Sequence, residues 1–399
     1  MKCLSLLVVA CLAWSSASTT DAATFINNGA GTAAVPGSFI VVLKDSKSVK
    51  SFEPKWNQML NRHNSRNGRR PRINHKFKAM PGFTVTGSNA TLTELLNMDE
   101  VEYIEQDAIA SIQATQGNPP SWGLPRVSRR GALNGGAAAY NFPDSAGSGV
   151  TAYVIDTGIN TGHVDFGGRA TMGANFIRGS PNTDQNGHGT HVAGTIGGNT
   201  YGVAKKVRLV GVKVLDAQGQ GAFSGIIAGM DWVAQRARGT RAVVNMSLGG
   251  GASRAVNDAV SRMVNAGIPV IVAAGNDPNV NACNGSPSGA SAALTVGASD
   301  IRDNVASFSS YGNCVKIFGP GVQITSAWIG GSNSRNTISG TSMATPHVAG
   351  VAALYMGANP NLRSPQQVYS ALTSNAVRNV IRGNTRGAAN LMVNNGANN

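Results

Sequence analysis

The sequence predicts an α/β protein: a central parallel sheet with helices on both faces, preceded by a small ferredoxin-like α+β unit. Three observations carry this expectation. From Trp122 onward, short apolar runs alternate with stretches of helical spacing, the pattern of a parallel sheet buried on both sides. Before it, the elements follow the order β-α-β-β-α-β. The charge balance also shifts near residue 113, since nearly half of the 19 acids precede that point and no Glu follows it.

In the first unit, Ser38–Lys44 reads as a strand, Ser48–Asn61 as a helix and Arg66–Arg72 as a basic loop. Asn74–Met80 and Phe83–Thr86 read as strands, Leu92–Asn97 as a short helix and Val101–Asp107 as a last strand. A Gly/Ala-rich linker, Asn27–Gly37, precedes them. In the second unit the predicted strands are Thr151–Ile155, Val207–Val214, Ala242–Ser247, Pro269–Ala274 and Ala293–Val296. Helices are expected at Gly189–Gly197, Gly225–Arg238, Ala252–Ala266 and Thr341–Met356, and the Asn/Gly-rich tail Asn384–Asn399 is expected to fray. Ligands of such sheets bind beyond the carboxyl ends of the strands.

Residues 1–18 read as a signal peptide: Lys2, a short apolar run Leu4–Trp14, then small residues. No later run is long and apolar enough for an anchor, so the chain is expected to be secreted and extracellular, with no membrane contact. Cys3 and Cys11 leave with the signal, and Cys283 and Cys314 remain. An even pair in an exported protein favours a disulfide over two free thiols, and no clustered Cys or His suggests zinc. The net charge is +14, of which about +11 lies after residue 113. The basic residues are scattered and no nucleic-acid motif accompanies them, so the excess reads as a soluble basic surface.

Three segments carry chemistry. Val154-Ile155-Asp156-Thr157-Gly158 ends an apolar strand with an acid, which alone could be a turn cap. Asn186-Gly187-His188-Gly189-Thr190-His191 places His188 at the first turn of a helix after a glycine loop, with His191 read as buried and hydrogen-bonded. Ser339-Gly340-Thr341-Ser342-Met343-Ala344-Thr345-Pro346-His347 places a serine at a helix N-terminus, where free backbone N–H groups can hold an oxyanion. His347 reads as a core residue, and Pro346 as lying in about the first turn. A serine hydroxyl needs a base, and that base needs an acid to fix its tautomer.

In the order Asp156, His188, Ser342, with these flanking residues, the chain resembles the subtilisin family of serine proteases. Trp122-Gly-Leu124, Ile226–Asp231 and Ser247-Leu-Gly-Gly250 resemble its fungal proteinase K-like branch. The resemblance covers roughly residues 114–395 and implies the subtilisin-like three-layer fold. The first unit resembles the family's inhibitory propeptide, giving a division into signal 1–18, propeptide 19–113 (folded part about 38–107) and peptidase domain 114–399. The resemblance implies Asp156 as orienting acid, His188 as general base and acid, Ser342 as nucleophile and Asn276 as oxyanion donor. It implies peptide binding along Gly219, Gln220 and Gly221 and along Ser247, Leu248 and Gly249. Ala273, Ala274 and Gly275 join the second segment around a first pocket that is uncharged and roomy, which suits apolar and aromatic residues. The propeptide tail, Ala108–Gln113, is expected in the cleft as an intramolecular inhibitor, with cleavage near Gln113–Ala114 and a monomeric product.

The sequence also departs from that pattern. The family's calcium carboxylate is replaced by Lys316, which cannot ligate calcium and is expected instead as an internal cation. No acid lies in Val377–Asn384, so calcium, though possible, is not expected to be required, nor any other cofactor. The relatives' free cysteine is Val192 here, and the spacing of Cys283 and Cys314 is similar to a bridge in some bacterial members. Asn89 and Asn284 fit the glycosylation pattern, as does Asn245, which falls in the pocket wall. Intact chemical positions oppose an inactive binding module. The lack of Glu after residue 113 opposes a protease for basic sites, and the absence of Gly-x-Ser-x-Gly opposes an esterase or lipase.

Overall fold

The computed structural model describes residues 23–26, 33–62, 70–111, 115–116, 121–133 and 139–396. The expected signal peptide, the expected cleavage junction Gln113–Ala114 and part of the Arg66–Arg72 loop lie outside the described residues.

Seven parallel strands form the centre of the molecule. Across the sheet they run Val315–Pro320, Leu294–Ser299, Val270–Ala273, Ala242–Met246, Thr151–Asp156, Arg208–Lys213 and Ala170–Asn175. Side chains alternate across this sheet with period two. Ala152 and Val154 face a core shared with the helices His188–Gly197 and Thr341–Ala358. Tyr153 and Ile155 face a core shared with Phe223–Ala237 and Arg254–Asn265. Both faces are therefore covered, and the strands can be apolar throughout. The chain leaves Thr151–Asp156 toward one side of the sheet and later returns to pair Ala242–Met246 on its other side. That reversal opens a crevice at the carboxyl ends of the two strands.

The small unit has the expected order, with its helices Ser48–Arg62 and Asn89–Leu96 on one face. Phe39, Val41 and Leu43 pack under these helices with Phe52, Trp56 and Phe83. The intervening Ile40 and Val42 point the other way, and with Phe77, Met80 and Tyr103 they join the core of the large domain's second helical layer. Two parts differ from the sequence expectation. The predicted linker becomes strand from Ala33, and Thr24–Ile26 adds a parallel edge strand beside Tyr103–Glu105.

The tail, expected to fray, is instead fixed as far as residue 396. Leu391–Met392 joins the main sheet beside Phe318, and Asn394 and Asn395 are buried. Their amides donate to Arg129 O at 3.0 Å and Asn141 O at 2.6 Å, so the polar composition satisfies backbone carbonyls rather than solvating a loose end. Cys283 and Cys314 form a disulfide with Cα atoms 5.5 Å apart. No helix among the described residues is long and apolar enough to cross a membrane.

Candidate active site

Asp156 ends the strand Thr151–Asp156 and is fully buried. His188 opens the helix His188–Gly197 and is also buried. Its Nδ1 lies 2.8 and 3.0 Å from the two Asp156 carboxylate oxygens. With the Nδ1 hydrogen held there, the lone pair sits on Nε2, the tautomer a general base needs. Nε2 is buried and has no hydrogen-bond partner among the described residues.

The turn before His188 is built to bring it onto Asp156. Gly187 has φ 105°, where an L side chain is strained. A Cβ on Gly189 would lie 2.1 Å from Gly158 O, so only glycine lets the two chains approach this closely. Asp184 gathers the loop: its oxygens accept from Asn186 N, Gly187 N, Thr190 N, Thr190 Oγ1 and Thr157 Oγ1 at 2.6–3.0 Å. Sequence reading missed Asp184, although an Asp two and three residues before the N–H groups it caps is a recognisable turn signal.

Ser342 is the second residue of the helix Thr341–Ala358. Its Oγ donates to Ser247 O at 3.1 Å, and Ser247 Oγ donates back to Ser342 O at 2.8 Å. Pro346 explains the second bond. It is the sixth helical residue, not in the first turn as expected, and its missing N–H would have bonded the carbonyl four residues back. That carbonyl is Ser342 O, and Ser247 repairs the loss.

Asn276 follows the strand Val270–Ala273. Its Oδ1 accepts from Thr341 N and Thr341 Oγ1, both at 2.8 Å, while Thr341 Oγ1 accepts from Gly275 N at 3.1 Å. The oxygen is thus committed to the Ser342 helix terminus, which fixes the orientation of the amide. Ser247–Gly249 and Ala273–Gly275 follow neighbouring parallel strands, since Met246 pairs with Val272, and they emerge side by side at the same sheet end.

The backbone of Gln220–Ala222 is already paired. It forms an antiparallel ladder with Ile109–Ser111: Gln220 opposite Ser111, Gly221 opposite Ala110 and Ala222 opposite Ile109. Beyond the junction, Thr115 and Gln116 pair with Ser339 and Ile338, the strand that leads into Ser342.

The first unit is also docked through charge. Glu105 accepts from Ala255 N and Asp107 from Ser224 N (2.8 Å), each at the N-terminus of one of the two helices beneath it. In the reverse direction Asp231 accepts from Lys78 N (2.7 Å) and Ala79 N. The Arg254 guanidinium lies 3.8 Å from the Tyr103 ring centroid.

Two further histidines take no part in this arrangement. His191 Nε2 lies 2.9 Å from Ile324 O and His347 Nδ1 lies 2.8 Å from Met343 O. Burial holds His191 down to about 3 and His347 down to about 4, so both are neutral core groups. Lys316 is not the internal cation expected from the sequence: it is exposed, with Nζ 2.7 Å from Asn313 O, because its strand position faces solvent. Asn245, fully buried with Nδ2 2.9 Å from Ser247 Oγ, offers no access to a glycan, whereas Asn89 and Asn284 are exposed.

Comparison with known proteins agrees with this geometry. Residues 147–397 match the subtilase family model and residues 38–113 the peptidase inhibitor I9 model. The chain is 42% identical over 362 residues to subtilisin-like protease 2 of Pseudogymnoascus destructans, covering 90% of this chain and 89% of that one. It is 48% identical over 324 residues to a cuticle-degrading protease of Metarhizium anisopliae, covering 80% and 81%. The crystal structure of a cold-adapted subtilisin-like serine proteinase superposes with a TM-score of 0.64 at 48% identity, covering 70% of this chain and 99% of that one. The chain belongs to the subtilase family and is a subtilisin-like serine protease that carries its own I9 propeptide.

Proposed function

We propose that this protein is a secreted, broad-specificity endopeptidase made as a self-processing precursor, with Asp156, His188 and Ser342 as the triad. One observation carries the reading: the His188 imidazole is held by both Asp156 oxygens, at 2.8 and 3.0 Å. In the reaction, His188 Nε2 takes the Ser342 hydroxyl proton as Oγ attacks the carbonyl carbon. The resulting oxyanion is met by backbone N–H groups of the helix terminus and by Asn276 Nδ2. His188 then protonates the leaving amine, and water releases the acyl group by the same steps in reverse.

Ser111 and Thr115, each paired in a strand, flank the expected cut near Gln113–Ala114. Ser342→Ala is expected to accumulate as full-length precursor, as read by intact mass. A mutant cut at the wild-type position argues for another protease. The first pocket, walled by Ser247–Gly249 and Ala273–Gly275, carries no charged side chain, which favours apolar and aromatic residues before the cut bond. A peptide library led by Arg or Lys at that position contradicts this. The I9 propeptide implies inhibition in the same chain, and the product is read as a monomer.

No group of three or more His, Cys, Asp or Glu side chains suited to a metal occurs among the described residues. With Lys316 at the relatives' calcium position, we expect the enzyme to need no cofactor. Chelator should lower the thermal midpoint by less than about 3 °C, the shift expected from under about 1 kcal/mol in a domain of this size. A drop of ten degrees or more speaks for a structural calcium.

A further inference from the structure

Lys213 is a buried cation that the reaction described above does not use. It ends the strand Arg208–Lys213, directly beside Asp156 in the parallel register, and is fully buried. Its Nζ donates to Thr157 O and Leu215 O, both at 2.8 Å. These carbonyls belong to the backbone that surrounds Asp156. Thr157 follows Asp156 and returns its own N–H to the Asp156 carboxylate at 2.7 Å. Leu215 N and Val214 N donate to Asp156 O at 3.2 and 2.9 Å. One ammonium thus ties together the two chain segments that hold the acid in place.

Charge gives the arrangement a second consequence. Burying an ammonium is costly unless opposite charge lies nearby. Here burial favours the neutral amine, while Asp184, Asp216 and Asp156 favour the cation. Asp156 and Asp184 are both buried, and both are bonded to Thr157 next to His188. Without the ammonium, two buried carboxylates would share this turn with no buried cation beside them. The other charged neighbour, Asp216, is only partly buried and is occupied by its own turn, accepting from Gln218 N and Gln220 N at 2.9 Å each.

We infer that Lys213 is a positioning residue for the protease reaction: it clamps the turn that carries Asp156 and offsets one of the two buried carboxylate charges around His188, leaving the imidazole available as a base in mildly acidic solution. The inference rests on the assignment of His188 as that base.

The test compares wild type, Lys213→Met and Lys213→Arg by the pH dependence of kcat/KM on a neutral peptide. A cation within the range of an imidazole shifts its titration by about half a unit to one unit. Lys213→Met should therefore move the acid limb up by about that much and lose about three- to tenfold in relative activity near pH 6. Lys213→Arg should keep the acid limb within about 0.2 unit of wild type, because charge rather than shape is retained. If Lys213→Met does not self-process, the titration midpoint of the His188 Nδ1–H proton, followed by NMR in the folded precursor, gives the same comparison. An unmoved acid limb or midpoint in Lys213→Met overturns the lysine's role, and so does an equal shift in both variants. A fully active His188→Ala enzyme overturns the base assignment and the inference with it.

Discussion

Ser342 is set by two neighbours that do no chemistry. Pro346 lacks the N–H that would bond Ser342 O, and the freed carbonyl is taken by Ser247 Oγ, itself held by Asn245 Nδ2 at 2.9 Å. Ser247→Ala leaves a buried acceptor and a buried donor without this partner. It should cost about 1–3 kcal/mol, read as a lower denaturation midpoint of the inhibitor-blocked enzyme. Thr341 performs the corresponding service for Asn276, binding its oxygen and so fixing the orientation of the amide. Asn276→Ala should lower kcat by about 10²–10³ with little change in KM, the loss one such donor carries in subtilisin itself. A drop confined to KM argues for a binding role instead.

At the scale of elements, the propeptide sheet and the two helices beneath it act as one contact. Glu105 and Asp107 place carboxylates on two helix N-termini, where the free N–H groups and the dipole favour negative charge. Glu105→Gln combined with Asp107→Asn should make activity appear about tenfold sooner after self-cleavage, taking about 0.7 kcal/mol for each lost charge. His75 adds a pH dependence. It lies on the propeptide strand Arg72–Phe77 with Nε2 buried and unpartnered among the described residues. Burial holds its pKa below 6.5; the nearby Asp231 works against this and Lys78 with it. The depressed pKa means that the docked form disfavours the proton, so docking stability is present above pH 6.5 and is lost as pH falls below it. Incubation at pH 5.5 should therefore release the cut propeptide faster than at pH 7.5, with activity read at one common pH. His75→Phe should remove most of the difference.

Over the whole molecule, His191 and His347 tie stability to acidity in the same sense. Both are held neutral far below the free imidazole value, to about 3 and about 4. Unfolding lets them take protons, so stability falls as pH drops below 6.5. The denaturation midpoint of the inhibited enzyme should fall between pH 7 and pH 4, and less so in a His347→Gln variant. A flat profile contradicts the buried, neutral assignment.

Much of this architecture was legible in the chain. Strands such as Val270–Ala273 are buried on both faces and read as unbroken apolar runs, and the glycines around His188 mark a close backbone approach. The edge strand Ala170–Asn175 was not legible, since its small and polar residues are only partly buried and give no apolar signal. Nor was the fixed tail, whose order comes from asparagine bonds to carbonyls more than 250 residues away. Thr341 and Lys213 escaped for the same reason: Asn276 and Thr157, the partners they hold, are near only in the folded chain.

The central claim is that Ser342 is the group His188 activates. It is tested most directly by treating the mature enzyme with a fluorophosphonate and mapping the adduct by peptide mass. The account predicts one adduct per chain, on the peptide containing Ser342, and none in His188→Ala. Modification of another serine, or equal labelling without His188, would contradict it.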